Sequence, residues 1–276
     1  MAETFTDTDL EAGIAGSLAK IVERRPLVHA IVNLVAMPLA ADAIRAIGAL
    51  PVMTSAPEEA ADMARGAAAL LLNCGTPDPR RFEGMRSAGL AANERGIPIV
   101  LDPVGLGSTP WRTREIERLL SVVRVSVIRG NHSEMAVLAG REANVQGVEA
   151  TGSPSLDSLV DISRAVRSLT GAVACISGET DVVAGKQISL IRNGHPTMGQ
   201  VVGSGCALSA VIAAFSAVGT EVETNAKQAV IIYGLAGEMA ARDAQGPGSF
   251  RVALVDCLAE IQRERTARGV RMEVLP

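Results

Sequence analysis

The strongest constraint on the fold is an alternation between short, β-branched apolar runs and longer Ala- and Leu-rich amphipathic segments. The apolar runs predict strands at 27–35, 49–53, 68–72, 97–101, 125–128 and 173–176. The segments between them predict helices at 38–47, 58–64, 79–95, 112–121, 133–139 and 156–169. Because most of the runs are too continuously apolar for a half-exposed strand, we expect a parallel sheet covered by helices on both faces, typical of an α/β protein.

The later part of the chain follows a different pattern. Residues 182–183 and 186–191, joined through Ala184-Gly185, predict an antiparallel hairpin at the sheet edge, and three helices are predicted at 206–218, 224–242 and 250–263. Residues 151–155 predict a surface loop. Since no charged, Pro-rich or Ser-rich linker interrupts the 276 residues, we expect one domain over 1–276.

The composition argues against several classes of protein. Aromatic residues make up 2% of the chain and the net charge is −4, which disfavours binding to single-stranded nucleic acid. The first residues lack the basic start and apolar run of a secretory signal, and no stretch approaches the roughly 20 apolar residues of a membrane span. We therefore expect a cytoplasmic protein. The four cysteines form no C-x-x-C pair, so no structural zinc site is predicted.

The strongest local motif is Gly203-Ser204-Gly205-Cys206, which opens a helix of small residues. Such a start leaves backbone N–H groups accessible at the positive end of the helix dipole, so it predicts an anion site. The same glycines would also suit a tight turn or close helix packing. Cys206 would be either a thiol activated by the helix N-terminus or a small residue that fills space.

Polar residues follow three of the predicted strands, where ligands of parallel sheets bind. Asp102 follows 97–101, Ser177 follows 173–176, and Arg129, Asn131 and Glu134 follow 125–128. Together these two carboxylates could organise a magnesium-bound polyphosphate, and the guanidinium could clamp a phosphate. The alternatives are an aspartate that caps the turn before the next proline, and a solvated loop with a capping asparagine.

The motifs together resemble one known family over about residues 28–258. The segments that carry the likeness are His29-Ala30-Ile31-Val32-Asn33, Ala49-Leu50-Pro51-Val52-Met53, Ala56-Pro57-Glu58-Glu59, Leu72-Asn73-Cys74-Gly75-Thr76, Leu101-Asp102-Pro103-Val104-Gly105, Ile128-Arg129-Gly130-Asn131, Asn193-Gly194-His195-Pro196, Gly203-Ser204-Gly205-Cys206 and Gly246-Pro247-Gly248-Ser249-Phe250. In these segments the chain resembles the hydroxyethylthiazole kinase family. The resemblance implies a ribokinase-like three-layer α/β fold with a mostly parallel central sheet.

The resemblance also implies an activity and an assembly. Members of the family transfer the ATP γ-phosphoryl group to the hydroxyl of 4-methyl-5-(2-hydroxyethyl)thiazole in thiamine salvage, with Mg²⁺, as homotrimers whose pockets lie between subunits. By motif, the implied thiazole-binding residues are Asn33, Met53, Gly75, Gly203 and Cys206. The implied ATP-binding residues are Arg129, Asn131 and Ser177, and the implied magnesium ligands are Asp102 and Glu134. Gly203, Gly205 and Cys206 would act on the transferred group.

The chain departs from the family pattern at three positions. Ser177 and Ser204 stand where threonine is frequent and keep the hydroxyl, whereas Cys74 stands where an aliphatic residue is expected and would reshape the acceptor pocket. Three other functions compete: a kinase for another small alcohol such as hydroxymethylpyrimidine, a hydrolase built on Cys206, and a nucleotide sensor without catalysis.

Overall fold

A computed structural model describes residues 7–141, 145–146, 149–150 and 154–275. The strands in these ranges are β1 (Leu27–Ile31), β2 (Leu50–Val52), β3 (Ala69–Asn73), β4 (Ile99–Asp102), β5 (Val127–Asn131), β6 (Val145–Gln146), β7 (Glu149–Ala150), β8 (Val173–Ser177), β9 (Asp181–Ala184), β10 (Ile188–Ile191) and β11 (Met272–Leu275). The predicted loop at 151–155 lies mostly outside the described residues.

The helices are mostly longer than the strands. They are α1 (Asp7–Arg24), α2 (Met37–Ala46), α3 (Pro57–Arg65), α4 (Pro79–Glu94), α5 (Pro110–Val122), α6 (His132–Leu138), α7 (Leu156–Thr170), α8 (Ser204–Ser216), α9 (Val222–Asp243) and α10 (Pro247–Glu264), with a 3₁₀ turn at Pro196–Gln200. Every helix predicted from the sequence therefore has a counterpart.

The main sheet has nine strands within the described ranges, in the order β11-β10-β9-β8-β5-β4-β3-β1-β2. The pairs from β2 to β8 are parallel, and the pairs from β8 to β11 are antiparallel. This confirms the predicted α/β fold with a mostly parallel sheet and the predicted hairpin of β9 and β10. The hairpin does not form the edge of the sheet, because β11 pairs with β10 outside it. β2 is a short edge strand with Pro51 at its centre.

Helices cover both faces of the sheet, as continuously apolar strands require. In β3, Leu71 packs in a core with α1, α2, α8, α9 and α10, whereas Leu70 and Leu72 pack in a second core with α3 to α7. Alternate side chains of one strand thus serve two cores, which gives the three-layer arrangement. Helix α8 is buried along nearly all of its length.

The structure corrects one boundary and adds two elements. The predicted strand at 27–35 ends at Ile31, because the Asn33 side-chain oxygen accepts hydrogen bonds from the Val35 and Ala36 amides and turns the chain toward α2. Helix α1 and strand β11 were not predicted.

Among the helices in the described part of the chain, none combines the length and the apolar character that crossing a bilayer requires.

Candidate active site

The carboxyl ends of neighbouring parallel strands bring the predicted polar residues together. Asn73 at the end of β3 lies opposite Asp102 at the end of β4, and Asn131 at the end of β5 lies opposite Ser177 at the end of β8. Arg129, two residues before Asn131, points toward the same edge, since its guanidinium lies beside Asp102. The three separate strand-end motifs of the sequence therefore form one site.

Asp102 is fully buried, and its two carboxylate oxygens have different surroundings. Oδ2 accepts hydrogen bonds from Asn73 Nδ2 at 2.6 Å and from Ser209 Oγ at 3.0 Å. Oδ1 has no hydrogen-bond partner among the described residues, and Arg129 Nη1 lies 3.8 Å away. Burial raises the pKa of Asp102, while Arg129 opposes that shift. A buried oxygen without a donor is a suitable ligand for a cation.

Glu134 lies near Asp102 but is tied to the backbone. Its Oε1 accepts a hydrogen bond from the Gly105 amide at 2.7 Å, and its Oε2 accepts one from the Asn131 amide at 2.9 Å. The Asn131 side chain in turn accepts from the Glu134 amide, which forms a capping box at the start of α6. Burial, with a contribution from Asp102, raises the pKa of Glu134 to about 7.

These carboxylates fit the magnesium ion that the family likeness implies. Mg²⁺ usually takes one or two protein carboxylates and completes its shell with water and phosphate oxygens. The free Oδ1 of Asp102 meets this requirement directly, and each Glu134 oxygen keeps a second lone pair. Within the described residues, no group of three or more His, Cys, Asp or Glu side chains forms a metal cage.

Arg129 packs against the first turn of α8. Its Nη2 donates a hydrogen bond to Ser177 Oγ. A methyl group built on Gly205 would lie 2.5 Å from both terminal nitrogens of the guanidinium, so a side chain at this position would displace it. The close approach of the Arg129 guanidinium to α8 therefore explains why the residue at position 205 is a glycine.

The start of α8 is shaped by Gly203. Its φ of 86° is favourable for glycine, and a Cβ at this position would lie 2.9 Å from Ala36 Cβ. The Tyr233 hydroxyl donates to the Ser204 carbonyl at 2.7 Å and fixes the turn. The amides of Gly205 and Cys206 are in the first turn, where no i−4 acceptor of the helix exists. Together with Arg129, they make a positively polarised site for an anion.

Cys206 is a buried thiol. Asn33 Nδ2 donates a hydrogen bond to its Sγ at 3.3 Å. Burial, with a further contribution from the Asp102 carboxylate, raises the pKa of Cys206 to about 12. The thiol therefore stays protonated at neutral pH, which disfavours a hydrolase that depends on a Cys206 thiolate.

The implied acceptor residues come from the loops after β1, β2 and β3 and from the start of α8. Gly75 packs directly on Asn33, since a Cβ on the glycine would lie 2.7 Å from Asn33 Cβ. Met53 follows β2 and packs partly against the core around α8. The loop after β2 is held by His29, whose Nε2 contacts the Thr54 carbonyl oxygen at 2.9 Å.

Cys74 lies on the opposite face of the sheet from Cys206. Its side chain is buried in the core that contains α3 to α7, whereas Cys206 and Met53 belong to the core around α8. The effect of Cys74 on the acceptor pocket stays a prediction. Neighbouring side chains of β3 and its extension point to opposite faces of the sheet, and Cys74 lies on the face away from Cys206.

A cleft of about 690 Å³ opens beside Arg129. Its wall includes the first turn of α8, Tyr233 and Gly234 of α9, the turn Ser177 to Asp181, and the segment Arg192 to Gly199. Burial raises the pKa of Asp181 to about 7. The Oδ1 atom of Asp181 accepts a hydrogen bond from the Gly178 amide at 2.9 Å. The cleft contains Arg129 and Ser177 from the implied ATP-binding set but not Asn131.

Three residues that shape the site were not predicted from the sequence. Asn73 links Asp102 to Asn33, and Asp181 holds the turn that lines the cleft. Glu238 Oε1 accepts bonds from the Asn193 side chain and from the Gly194 amide, which holds the outer wall of the cleft. For Asn73 a signal existed, because a polar residue directly ends a buried apolar run.

The chain is similar to known proteins over most of its length. The model of the hydroxyethylthiazole kinase family matches residues 18–264. A hydroxyethylthiazole kinase of Rubrobacter xylanophilus is 46% identical over 94% of this chain and 96% of its own length, and that of Moorella thermoacetica is 43% identical over 95% and 98%. A solved hydroxyethylthiazole kinase from Pyrococcus horikoshii OT3 matches with a TM-score of 0.87 and 35% identity over 96% of this chain and all of that chain. The chain belongs to the hydroxyethylthiazole kinase family.

Proposed function

We propose that this chain transfers the γ-phosphoryl group of ATP to the hydroxyl group of 4-methyl-5-(2-hydroxyethyl)thiazole. The observation that carries the proposal is the position of Arg129. Its guanidinium lines the cleft, packs on the first turn of α8 and lies beside the unpartnered oxygen of Asp102. A polyphosphate in the cleft would thus meet a guanidinium, helix amides and a metal-binding carboxylate at one point. Family membership and the names of the similar proteins supply the acceptor.

Phosphoryl transfer depends more on alignment and charge neutralisation than on a strong base. Arg129 binds phosphoryl oxygens through its planar fork, and the amides of Gly205 and Cys206 stabilise the charge on the transferred group. Ser177 orients the guanidinium. Magnesium bound by Asp102, with Glu134 beside it, would neutralise phosphate charge. Asn131 contributes indirectly, by capping α6 and holding Glu134.

The acceptor alcohol binds on the other side of the α8 start. Asn33, Gly75, Gly203 and Met53 form this side, and the hydrogen bond from Asn33 orients Cys206. Because the Cys206 thiol is protonated, it acts by contact and orientation rather than as a strong base. Holding the hydroxyl in line with the phosphorus atom supplies most of the rate enhancement on this side.

We propose a homotrimer in which a neighbouring subunit completes the acceptor pocket. Three large apolar side chains beside the contact of Ala36 with Gly203 are exposed: Leu34 at 70%, Val35 at 56% and Val202 at 69%. Exposed apolar residues grouped at the rim of a binding site are typical of a subunit interface. Light scattering on the purified protein tests the assembly, and Val202→Glu should shift it toward the monomer and raise the KM for the thiazole.

The direct test of function is ADP release from Mg-ATP by the purified protein. Hydroxyethylthiazole, hydroxymethylpyrimidine and a sample without acceptor are compared, with EDTA as the test of the Mg²⁺ requirement. Thiazole-dependent release supports the proposal. Release with the pyrimidine alone would leave a kinase with another acceptor, and release with neither would contradict the proposed reaction.

Two further predictions concern the whole chain. We propose that residues 1–276 act as one domain, because strands from Leu27 to Leu275 share one sheet. Limited proteolysis should yield no stable fragment of half the length.

A cytoplasmic location is likewise proposed, and cell fractionation tests it.

A further inference from the structure

We propose that Asn73 is a positioning residue that couples the acceptor side of the site, which includes Asn33 and Gly75, to the phosphate side, which includes Asp102. Through this coupling, nucleotide binding strengthens binding of the acceptor alcohol. This inference rests on the proposed function, since it assigns two ligands to the two sides. Asn73 belongs to neither set of implied ligand-binding residues. Its place in the sheet, at the end of β3 between β1 and β4, puts it between the two.

Asn73 is fully buried and makes four hydrogen bonds. Its Nδ2 donates to Asp102 Oδ2 at 2.6 Å. Its Oδ1 accepts from Asn33 Nδ2 at 2.9 Å, from the Gly75 amide at 3.1 Å and from the Asn33 amide at 3.4 Å. One side chain therefore contacts the carboxylate on the phosphate side and two residues on the acceptor side.

An amide is suited to this position because it carries a donor and an acceptor at opposite corners of one rigid plane. Asp102 Oδ2 accepts the hydrogen bond from Asn73 Nδ2 and so holds this end of the amide. That contact fixes Oδ1 toward Asn33 and Gly75. The orientation of the amide is thus set by both sides at once, and a shift of one side moves the other.

The connection continues from Asn33 to the start of α8. Asn33 Nδ2 is shared between Asn73 Oδ1 and Cys206 Sγ, at 2.9 Å and 3.3 Å. Asn33 Oδ1 accepts hydrogen bonds from the Val35 and Ala36 amides. Val35 is one of the exposed apolar residues beside the acceptor side of the site. A change at Asp102 when a nucleotide binds is therefore transmitted through buried hydrogen bonds to the residues that orient the alcohol. Networks of this kind are strongly coupled because each unpaired member is costly.

The coupling is measured by calorimetric titration of hydroxyethylthiazole into the full-length protein, without nucleotide and with the magnesium complex of a non-hydrolysable ATP analogue. For the unmodified protein we expect the analogue to tighten thiazole binding by at least about fivefold. By reciprocity, the thiazole should tighten binding of the analogue by the same factor.

Asn73→Ser is the main variant, because it adds neither volume nor charge and its short hydroxyl cannot reach both sides. We expect the mutual tightening to disappear and kcat to fall about 100-fold, while the Kd of the nucleotide analogue measured without thiazole changes less than about threefold. Asn73→Ala should behave in the same way and serves if the serine variant does not fold. Asn93→Ala is the matched control, since Asn93 also bonds through both side-chain atoms, but to the backbone of Arg124 at the surface.

Three results would overturn the inference: no tightening by nucleotide in the unmodified protein, full tightening in a folded Asn73 variant, or parallel losses in ATP and thiazole binding with a lowered melting temperature. The last result would show a purely structural residue. Failure of the proposed function is distinct, since it would appear as missing thiazole-dependent ADP release in the unmodified protein.

Discussion

The nucleotide side of the site, around Arg129, and the acceptor side, around Asn33 and Cys206, consist of different chemical groups. The cleft beside Arg129 is open and lined by charged groups such as Asp181 and Arg192, and it is formed within one chain. The acceptor side consists of buried amides and a neutral thiol, and it ends at exposed apolar residues such as Val202. We propose from this contrast that one chain completes the nucleotide site, whereas the acceptor site needs a second subunit.

The difference also shows where binding strength comes from on each side. A polyphosphate gains from charge, so Arg129 beside the helix amides contributes most of the interaction. A small alcohol carries no charge, so its binding depends on geometry, and the amides of Asn33 and Asn73 are held in place by several hydrogen bonds each. Substitutions should therefore separate the two sides by the kind of effect as well as by its size.

The largest effect is expected for Arg129→Ala. The substitution removes the phosphate clamp and leaves the buried Asp102 without its neighbouring cation, so we expect weaker ATP binding and a fall in kcat of roughly 1,000-fold. Titration with an ATP analogue and steady-state kinetics measure the two losses. Arg80→Ala, at an exposed ion pair with Glu58, is the control and should change neither. Unaltered nucleotide binding in the first variant would remove the proposed basis of the nucleotide side.

Gly205→Ala should give the next largest effect, although it adds one methyl group. That methyl would lie 2.5 Å from the Arg129 nitrogens and push the guanidinium away from the helix start. We expect kcat to fall by about 100-fold, because a displacement near 1 Å at a reacting centre has effects of that size.

The matched control for this variant is Gly16→Ala. Gly16 lies in α1 with no atom within 4 Å of an added Cβ, so alanine should leave activity unchanged and raise stability by about 0.5–1 kcal/mol. Full activity of Gly205→Ala would show that the close approach of Arg129 to α8 is not needed for transfer.

Cys206 tests the acceptor side, where a moderate effect is expected. Cys206→Ala should lower kcat about tenfold, less than the roughly 100- to 10,000-fold typical of a general base, because the protonated thiol acts by contact and orientation. Cys206→Asp should stay active, because the Asn33 amide can donate to a carboxylate as it does to the thiol. Complete inactivity of a folded Cys206→Asp protein, or a burst of product with rapid labelling by iodoacetamide, would contradict this role.

The smallest effect is expected for Asp181→Asn, and it concerns thermal stability rather than activity. Burial raises the pKa of Asp181 from 3.8 to about 7, so the folded state binds this proton more tightly than the unfolded state. Its contribution to stability is present below about pH 4 and is lost as the pH rises through about 7. Asp181→Asn should therefore lose less thermal stability between pH 5 and pH 8 than the unmodified protein. The exposed Asp256→Asn serves as the control, and an equal loss in all three proteins would count against the assignment.

Much of the fold could be predicted from the sequence because buried parallel strands are continuously apolar and helices are amphipathic. Helix α1 was missed although Ile14, Leu18 and Ile21 repeat at helical spacing and are fully buried. Strand β11 was missed because it is short and half-exposed, so its place depends on pairing with β10 rather than on its own residues.

The candidate site was predictable in part. Asp102, Arg129 and Ser177 each follow an apolar run, and the rule that strand ends meet brings them together. Asn73 was not found, because its role depends on the order of strands, with β3 between β1 and β4. The face of the sheet on which Cys74 lies was not predicted either, because it depends on a strand register that the sequence does not specify.

The two edges of the sheet constrain how copies of the chain can associate. On one edge, β2 has three residues, and Pro51 at its centre has no N–H to offer a further strand. On the other edge, Glu273 of β11 is charged and pairs with Arg192. Neither edge is a good template for another strand, so edge-to-edge growth into fibres is disfavoured at both ends of the sheet.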